Sequence, residues 1–325
     1  YNDTTNSDWY KGDGNPYGAM MTNTNNENKN ATFSGNVYAE LRPIKNLKIR
    51  TTFGAVYGSS EYRSFKPLYR FSIYDYNETR TSVSQNMNHS LGMTWTNTAT
   101  YDWKIKDHAF NALIGMEAYR YEGTYLSGGN GALKEGFDDW EHAYVSNGTA
   151  SSSTDGLSAS GNPHDEGRSV SYFARLGWNW KETYMINATL RSDGSSKFAS
   201  GNRFGYFPSV SAGWTISNEK FMESTQGWLD FLKIRASWGQ VGNQNIKNYQ
   251  YLAPIKNTNT HYLFGSGFSD AGAAAQLATN WGAFPSRLSN PNLTWETSEQ
   301  TNIGLDARFL DSRLGFNFDF YIKNT

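Results

Sequence analysis

Residues 190–214 read LRSDGSSKFASGNRFGYFPSVSAGW, and the fold turns on the end of that stretch. Val210, Ala212 and Trp214 alternate with Ser209, Ser211 and Gly213. Successive side chains of a strand point to opposite faces, so one face here is apolar and the other small and polar. The first half, rich in Ser, Asp, Gly and Asn, is a turn-former's alphabet. The same period of two recurs outward in both directions. Phe33, Gly35, Val37, Ala39 and Leu41 share a face, as do Leu47, Ile49, Thr51, Phe53 and Ala55. Leu91, Met93 and Trp95 form another such run, followed by Phe110, Ala112, Ile114, Met116 and Ala118. Tyr172, Ala174, Leu176, Trp178 and Trp180 precede Tyr184, Ile186, Ala188 and Leu190. Further on come Leu232, Ile234, Ala236 and Trp238, then Ile303, Leu305, Ala307 and Phe309, and finally Leu314, Phe316, Phe318, Phe320 and Ile322.

Composition agrees with an all-β chain. Of 325 residues 16% are aromatic, with 21 Tyr and 11 Trp, and aromatics favour strands. A net charge of −1 lacks the basic excess of a nucleic-acid binder, so no nucleic-acid partner is expected. Mean hydropathy is −0.67 and no run approaches the ~18 apolar residues of a spanning helix. That excludes helical spans only, because a membrane barrel shows its apolar face at every second residue. The absence of Cys excludes disulfides and thiolate metal sites. The chain starts at Tyr1 without a leader and stops at Thr325 within a strand-like run, which suggests an internal piece of a longer protein.

The connections separate a barrel from a sandwich. Those at 43–46, 104–108, 181–183 and 310–313 are tight, whereas those at about 59–82, 121–168, 192–205 and 243–296 are long. Only 218–229 is of medium length where a short one is due. Alternating short and long connections are the layout of an up-and-down membrane barrel, with short periplasmic turns and long extracellular loops. Trp103, Trp178, Trp180 and Tyr184 cluster near the tight turns, as an interfacial aromatic girdle requires. The expected fold is an antiparallel up-and-down transmembrane β-barrel, incomplete, with about a dozen strands. Residues 1–325 are expected to form part of a single outer-membrane barrel domain.

Three motifs then carry a family resemblance. Arg191-Ser192-Asp193-Gly194-Ser195-Ser196-Lys197-Phe198, with Gly205-Tyr206-Phe207-Pro208-Ser209 through Trp214, resembles a signature of the SusC/RagA-type TonB-linked outer-membrane transporters. Leu232 to Gly239 with Gly242-Asn243-Gln244, and Asn290-Pro291-Asn292-Leu293-Thr294-Trp295-Glu296 with Gln300 to Asp306, are similar to two further motifs in that family's order. The resemblance covers about 170–325 by motif and the rest by architecture. It implies a 22-stranded barrel with an N-terminal plug and TonB-contact segment, both absent from 1–325. It also implies a SusD-type surface lipoprotein as lid, TonB as energy-coupling partner, outer-membrane lipid around the wall, and import of an oligosaccharide or peptide. A passive porin or adhesin-like barrel without TonB coupling is the alternative, and a soluble all-β binding module a third.

The residues have readings of their own. Asp193-Gly194-Ser195-Ser196 suits a turn, Pro208 a strand's first positions, and Gly242-Asn243-Gln244 and Asn290-Pro291-Asn292 bracket a long loop. These signature residues are expected to serve folding or loop docking rather than to bind ligand. Substrate or lid contact is expected from aromatics of the two longest loops: Trp140, Tyr144, Tyr249, Tyr251, Tyr262, Phe264, Trp281 and Phe284. Asp138-Asp139-Trp140-Glu141 could pair carboxylates for acid–base work or hold Ca²⁺, but a loop-borne acidic cluster is ordinarily solvated. The five His residues show no H-E-x-x-H spacing, so no metal site is expected. No cofactor and no catalytic residue is expected. A short helix is expected over 269–279.

Overall fold

The computed structural model describes residues 16–23, 25–71, 75–257, 261–264 and 278–325. A helix, α1 (Pro16–Asn23), precedes β1 (Asn26–Leu41), β2 (Leu47–Lys66) and a ribbon of β3 (Tyr69–Arg70) and β4 (Tyr76–Asn77). The chain continues through β5 (Ser82–Ile105), β6 (His108–Gly131), β7 (Ser158–Trp180), β8 (Tyr184–Ser195), β9 (Phe204–Thr215) and β10 (Leu229–Asn243). Next come β11 (Ile255–Lys256), β12 (His261–Phe264), β13 (Ala278–Trp281) and β14 (Phe284–Pro285), and last β15 (Glu296–Phe309) and β16 (Leu314–Asn324). Ten strands form one sheet in the order β1-β2-β5-β6-β7-β8-β9-β10-β15-β16, and the short strands pair as loop ribbons. Setting those ribbons aside, every sheet neighbour is the next strand in the chain. This is an up-and-down meander, with β1 and β16 as its two edges among the described residues.

The chain divides into two compact units. In the unit made of 39–51, 96–118 and 167–325, register fixes the faces. Leu176 opposes Ala188, which opposes Val210, which opposes Trp238. Ile234 opposes both Trp214 and Leu305, and Leu305 opposes Phe318. One face is therefore apolar across six strands. Its side chains remain open: Leu176 is 51% exposed, Ile303 54% and Phe318 55%. No second layer covers them among the described residues, so only an apolar solvent can remove this surface from water. The opposite face presents Asn187, Thr189, Ser211, Arg235, Asn302 and Asp319.

Tight turns close one end of that unit with non-glycine residues at positive φ: Asn46 at 71°, Lys106 at 53°, Lys181 at 51° and Asp311 at 56°. The hairpin twist demands those angles. The medium-length connection belongs to the same end. Two 3₁₀ turns, Ile216–Asn218 and Lys220–Thr225, fold it compactly. Asn218 donates to the Glu182 carbonyl at 3.3 Å, and the Leu310 N–H donates to the Trp228 carbonyl at 3.1 Å. Aromatic rings line this end. Trp103 stacks on Phe110 at 5.0 Å, His108 on Trp178 at 5.9 Å, Trp180 on Tyr184 at 5.5 Å, and Tyr184 on Trp214 at 6.2 Å. Glu219 accepts from the Tyr184 hydroxyl at 2.6 Å and from the Trp214 indole at 3.1 Å. Rings with one apolar and one hydrogen-bonding end suit a membrane interface.

The unit made of 52–95, 119–166 and the described part of 1–38 contains the connections at 67–81 and 132–157. Strands β5 and β6, with 24 residues each, and β7, with 23, run further than the alternation suggested. Crossing a bilayer takes only ~9–11, so these strands continue as paired sheet beyond it. The connection expected at 121–168 shrinks to 132–157. It folds back over one sheet face, where Phe65, Val83, Leu133 and Ala143 form a buried cluster capped by Trp140 and Val145. The helix expected over 269–279 lies outside the described residues except Ala278 and Thr279, which open β13.

Candidate functional site

The signature residues, spread over a hundred positions, converge at the loop ends of β8, β9, β10 and β15. After β8 ends at Ser195, the chain turns through 196–203 and drops the Phe198 ring into the interior. Phe198 is 1% exposed and is the largest fully buried side chain among the described residues. Trp295 lies against it at 5.3 Å and meets Phe207 edge-on at 5.5 Å. The Trp295 indole N–H donates to the Arg203 carbonyl at 2.9 Å, and Asn202 donates to the Pro291 carbonyl at 2.9 Å. Lys197 reaches the Gln244 carbonyl at 3.3 Å. Asn243, directly opposite Glu296 in the ladder, donates to its carboxylate at 2.8 Å. Three segments are thereby clasped at the base of the 243–296 loop.

Glycines make room for the rings. A Cβ on Gly205 would come within 2.5 Å of the Phe207 ring and 3.0 Å of the Trp295 indole. One on Gly242 would run into the same Phe207 ring, and one on Gly194 would approach Phe204 to 2.7 Å. Asp193 accepts two bonds from Arg191, at 2.7 and 2.9 Å. The Ser196 hydroxyl accepts the Arg168 N–H at 3.0 Å, and the Ser195 hydroxyl accepts the Lys197 N–H at 3.2 Å. The Asn290 carbonyl accepts the Leu293 N–H at 3.3 Å across Asn292. Tyr206 points the other way and is 66% exposed. Pro208 corrects an expectation. β9 begins four residues earlier, at Phe204, so Pro208 is not at the strand's first positions. Proline is tolerated because pairing with β10 starts only at Ser209.

On the polar face, Arg235 of β10 bridges two acids. Its Nε donates to Asp306 at 3.1 Å and its Nη2 to Asp319 at 2.7 Å. Gly304 lies opposite both Arg235 and Asp319, and a Cβ there would come within 2.5 Å of the guanidinium carbon. Nearer the tight turns, Asn46, Asp102, Asn111, Asn179 and Asn187 line a broad pocket of about 620 Å³. In the other unit Asn30, Thr32, Ser60, Asn88, Ser90 and Tyr121 line a second, of about 490 Å³. The first is rich in amides and the second in amides and hydroxyls, groups that hydrogen-bond water or a polar solute equally well.

The loop aromatics fall into two groups. Trp140 and Tyr144 hold Arg63 between them, its guanidinium carbon 4.0 Å from one ring centre and 4.5 Å from the other. Tyr249, at φ 59°, and Tyr251 stand on a turn that Arg287 organises, donating to the Tyr249 carbonyl at 2.9 Å, the Leu252 carbonyl at 3.2 Å and the Gln250 side chain. Phe284 opposes Lys256 in its ribbon and is 43% exposed. Tyr262, Phe264 and Trp281 belong to the β12–β13 ribbon, and their side chains lie outside the described residues. The acidic cluster serves a turn: Asp139 accepts the His142 backbone N–H at 2.9 Å and bonds the His142 ring at 2.9 Å. That ring bond above all holds the Asp139 carboxyl below its usual pKa. Sequence reasoning missed Arg63 and Arg287. An Arg in line with Phe53, Ala55 and Tyr57 was the available signal for the first.

The whole of 1–325 matches the family model described as TonB dependent receptor-like, beta-barrel. The chain belongs to the TonB-dependent receptor β-barrel family. Among curated relatives, TonB-dependent receptor P3 of Formosa agariphila is 28% identical over 322 residues, covering 96% of this chain and 28% of its own length. TonB-dependent receptor SusC of Bacteroides thetaiotaomicron is 27% identical over 319 residues, with 96% and 28% covered. The solved RagAB peptide transporter superposes with a TM-score of 0.73 at 27% identity, covering 95% of this chain and 31% of that one. The chain thus spans under a third of the length of these relatives. The SusC/RagA resemblance read from the three motifs holds, and the protein is an outer-membrane TonB-dependent receptor barrel. The apolar face is the lipid face, and the polar face looks into the lumen.

Proposed function

We propose that this receptor barrel forms part of the wall and mouth of a TonB-driven importer for oligosaccharides or peptides, working under a SusD-type surface lipoprotein. One observation carries the reading. The largest fully buried side chain among the described residues, Phe198, anchors the root of a single long loop, where Phe198, Phe207 and Trp295 clasp the segments flanking 243–296. A passive pore needs no such fixed platform, whereas a mouth that must meet a lid and a substrate does. Tyr249, Tyr251 and Phe284 stand on that loop and supply ring faces for a sugar or a protein partner. The amide- and hydroxyl-rich lumen suits passage of a polar solute. The plug and TonB-contact segment belong, on this reading, outside 1–325.

The test is deletion of 249–284 in the full-length receptor. The barrel should still assemble, shown by heat-modifiable migration on a gel, while growth on the cognate glycan or peptide is lost. Normal growth without the loop, or growth indifferent to removal of TonB, would reject the proposal.

A further inference from the structure

Arg63 presents an unfilled donor. Its guanidinium is fixed between the rings of Trp140 and Tyr144, yet Nη1 is buried and has no hydrogen-bond partner among the described residues. A buried, charged N–H left unpaired is costly, so an oxygen is wanted there. Arg63 lines a cavity of about 140 Å³ together with Glu27, Lys29, Glu61, Gln85 and Tyr144 among others. Lys29 neutralises Glu27 at 3.2 Å, and the Gln85 carbonyl is already taken by the Val145 N–H at 3.0 Å. Of the charged groups in that lining, the Arg63 guanidinium, which an anionic acceptor would satisfy, and the Glu61 carboxylate, which can accept a hydroxyl, are left without an ion-pair partner among the described residues. A ligand that suits both carries an oxyanion beside a hydroxyl.

Its position names the source. Glu61, Arg63 and Phe65 follow Phe53, Ala55 and Tyr57 on the same face of β2, the face that meets lipid lower down. Tyr57 stacks on and bonds His89 of β5, at the height where that apolar run ends. Arg63 lies six residues further, about 20 Å along the strand, or about 15 Å outward at the usual tilt. Phospholipid headgroups reach only ~5–8 Å past the hydrocarbon, so a phospholipid falls short. We propose that the Arg63–Glu61 cavity, on the outer side of the wall, binds an oxyanion-bearing sugar of an outer-leaflet glycolipid. Arg63 donates to its phosphate or carboxylate, and Glu61 accepts a neighbouring hydroxyl. Trp140 and Tyr144 hold the guanidinium in its bonding plane, so lipid engagement steadies the 132–157 loop.

Hydrogen exchange of the 139–147 segment tests this in the full-length receptor, in nanodiscs of three kinds. One holds phospholipid alone, one includes lipopolysaccharide, and one is phospholipid with soluble glucose 1-phosphate added. Lipopolysaccharide should slow exchange about tenfold, the ratio that one charge-assisted hydrogen bond of about 1.4 kcal/mol confers. Arg63→Gln should abolish the difference while the barrel stays heat-modifiable. Equal exchange with and without lipopolysaccharide in the unaltered protein means that water alone fills the cavity and overturns the proposal. Protection by glucose 1-phosphate as strong as that by lipopolysaccharide assigns the site to a soluble solute and overturns the lipid assignment. Protection that survives Arg63→Gln refutes the role of Arg63.

Discussion

Leu176→Arg is the sharpest test of the two faces. Leu176 lies four residues from Trp180 in the aromatic girdle, about 13 Å along the strand at ~3.3 Å per residue. A tilt of about 40° leaves roughly 10 Å along the membrane normal, close to the middle of a ~25 Å apolar band. Its partner across the ladder is Ala188, and half its side chain is open to whatever surrounds the sheet. An Arg at that depth on the lipid face costs about 2–4 kcal/mol. That is a shift of roughly 30- to 700-fold in the folding equilibrium. Asn187→Arg is the matched control: adjacent to Ala188 and opposite Gly177, it has the same depth on the other face. Asn179 serves less well, because its side chain already accepts the Glu182 N–H at 2.8 Å and its replacement would cost a turn contact. Urea unfolding of the full-length receptor in lipid vesicles should show a marked loss of stability for Leu176→Arg and little change for Asn187→Arg. Equal tolerance, or a larger loss for Asn187→Arg, would refute the face assignment and with it the lipid-facing reading of the six strands in register.

Trp295→Ala should destabilise the loop end by about 2–3 kcal/mol, less than the ~3–5 of a fully buried Trp because its ring is only half-buried. Trp295→Phe should lose about 1 kcal/mol, since it forfeits the bond to the Arg203 carbonyl and keeps most of the ring contact; denaturant midpoints of the two variants rank them. Trypsin added to intact cells should cut after Lys134 and Lys256, both exposed on the loop side, and spare Lys45 and Lys104 at the tight turns. Cleavage after Lys104 without cleavage after Lys134 would invert the topology.

The wall was legible because lipid enforces period two. From Tyr172 to Trp180 and from Leu314 to Ile322 each outward side chain must be apolar, and the sequence says so without reference to any neighbour. Beyond the bilayer that pressure lapses. Thr124 to Gly131 at the end of β6, and Ser158 to Gly161 at the start of β7, are paired strand with no apolar face, and they read as loop. Arg63 was illegible for another reason. Its partners Trp140 and Tyr144 stand nearly eighty residues away, and only the folded-back 132–157 loop brings them over β2.

The same physics explains why the family motifs lie where they do. A single-layer sheet with lipid on one side and a wet lumen on the other has almost no interior, so most wall positions ask only for an apolar or a polar residue. An interior exists where loops fold back on strand ends. The buried rings among the described residues are found there: Phe65 in one unit, Phe198 and Phe207 in the other. Close packing makes identity matter at such places. Gly205 and Gly242 must lack a Cβ because the Phe207 ring occupies the space, and Trp295 must offer both a face to Phe198 and an N–H to Arg203. A sequence of this architecture therefore carries two scripts. A loose one, written in alternation, specifies a wall that any barrel could share. A strict one, written in glycines, rings and amides at 193–208, 242–244 and 290–296, specifies how this wall holds its longest loop, which is why the strict one carried the family resemblance.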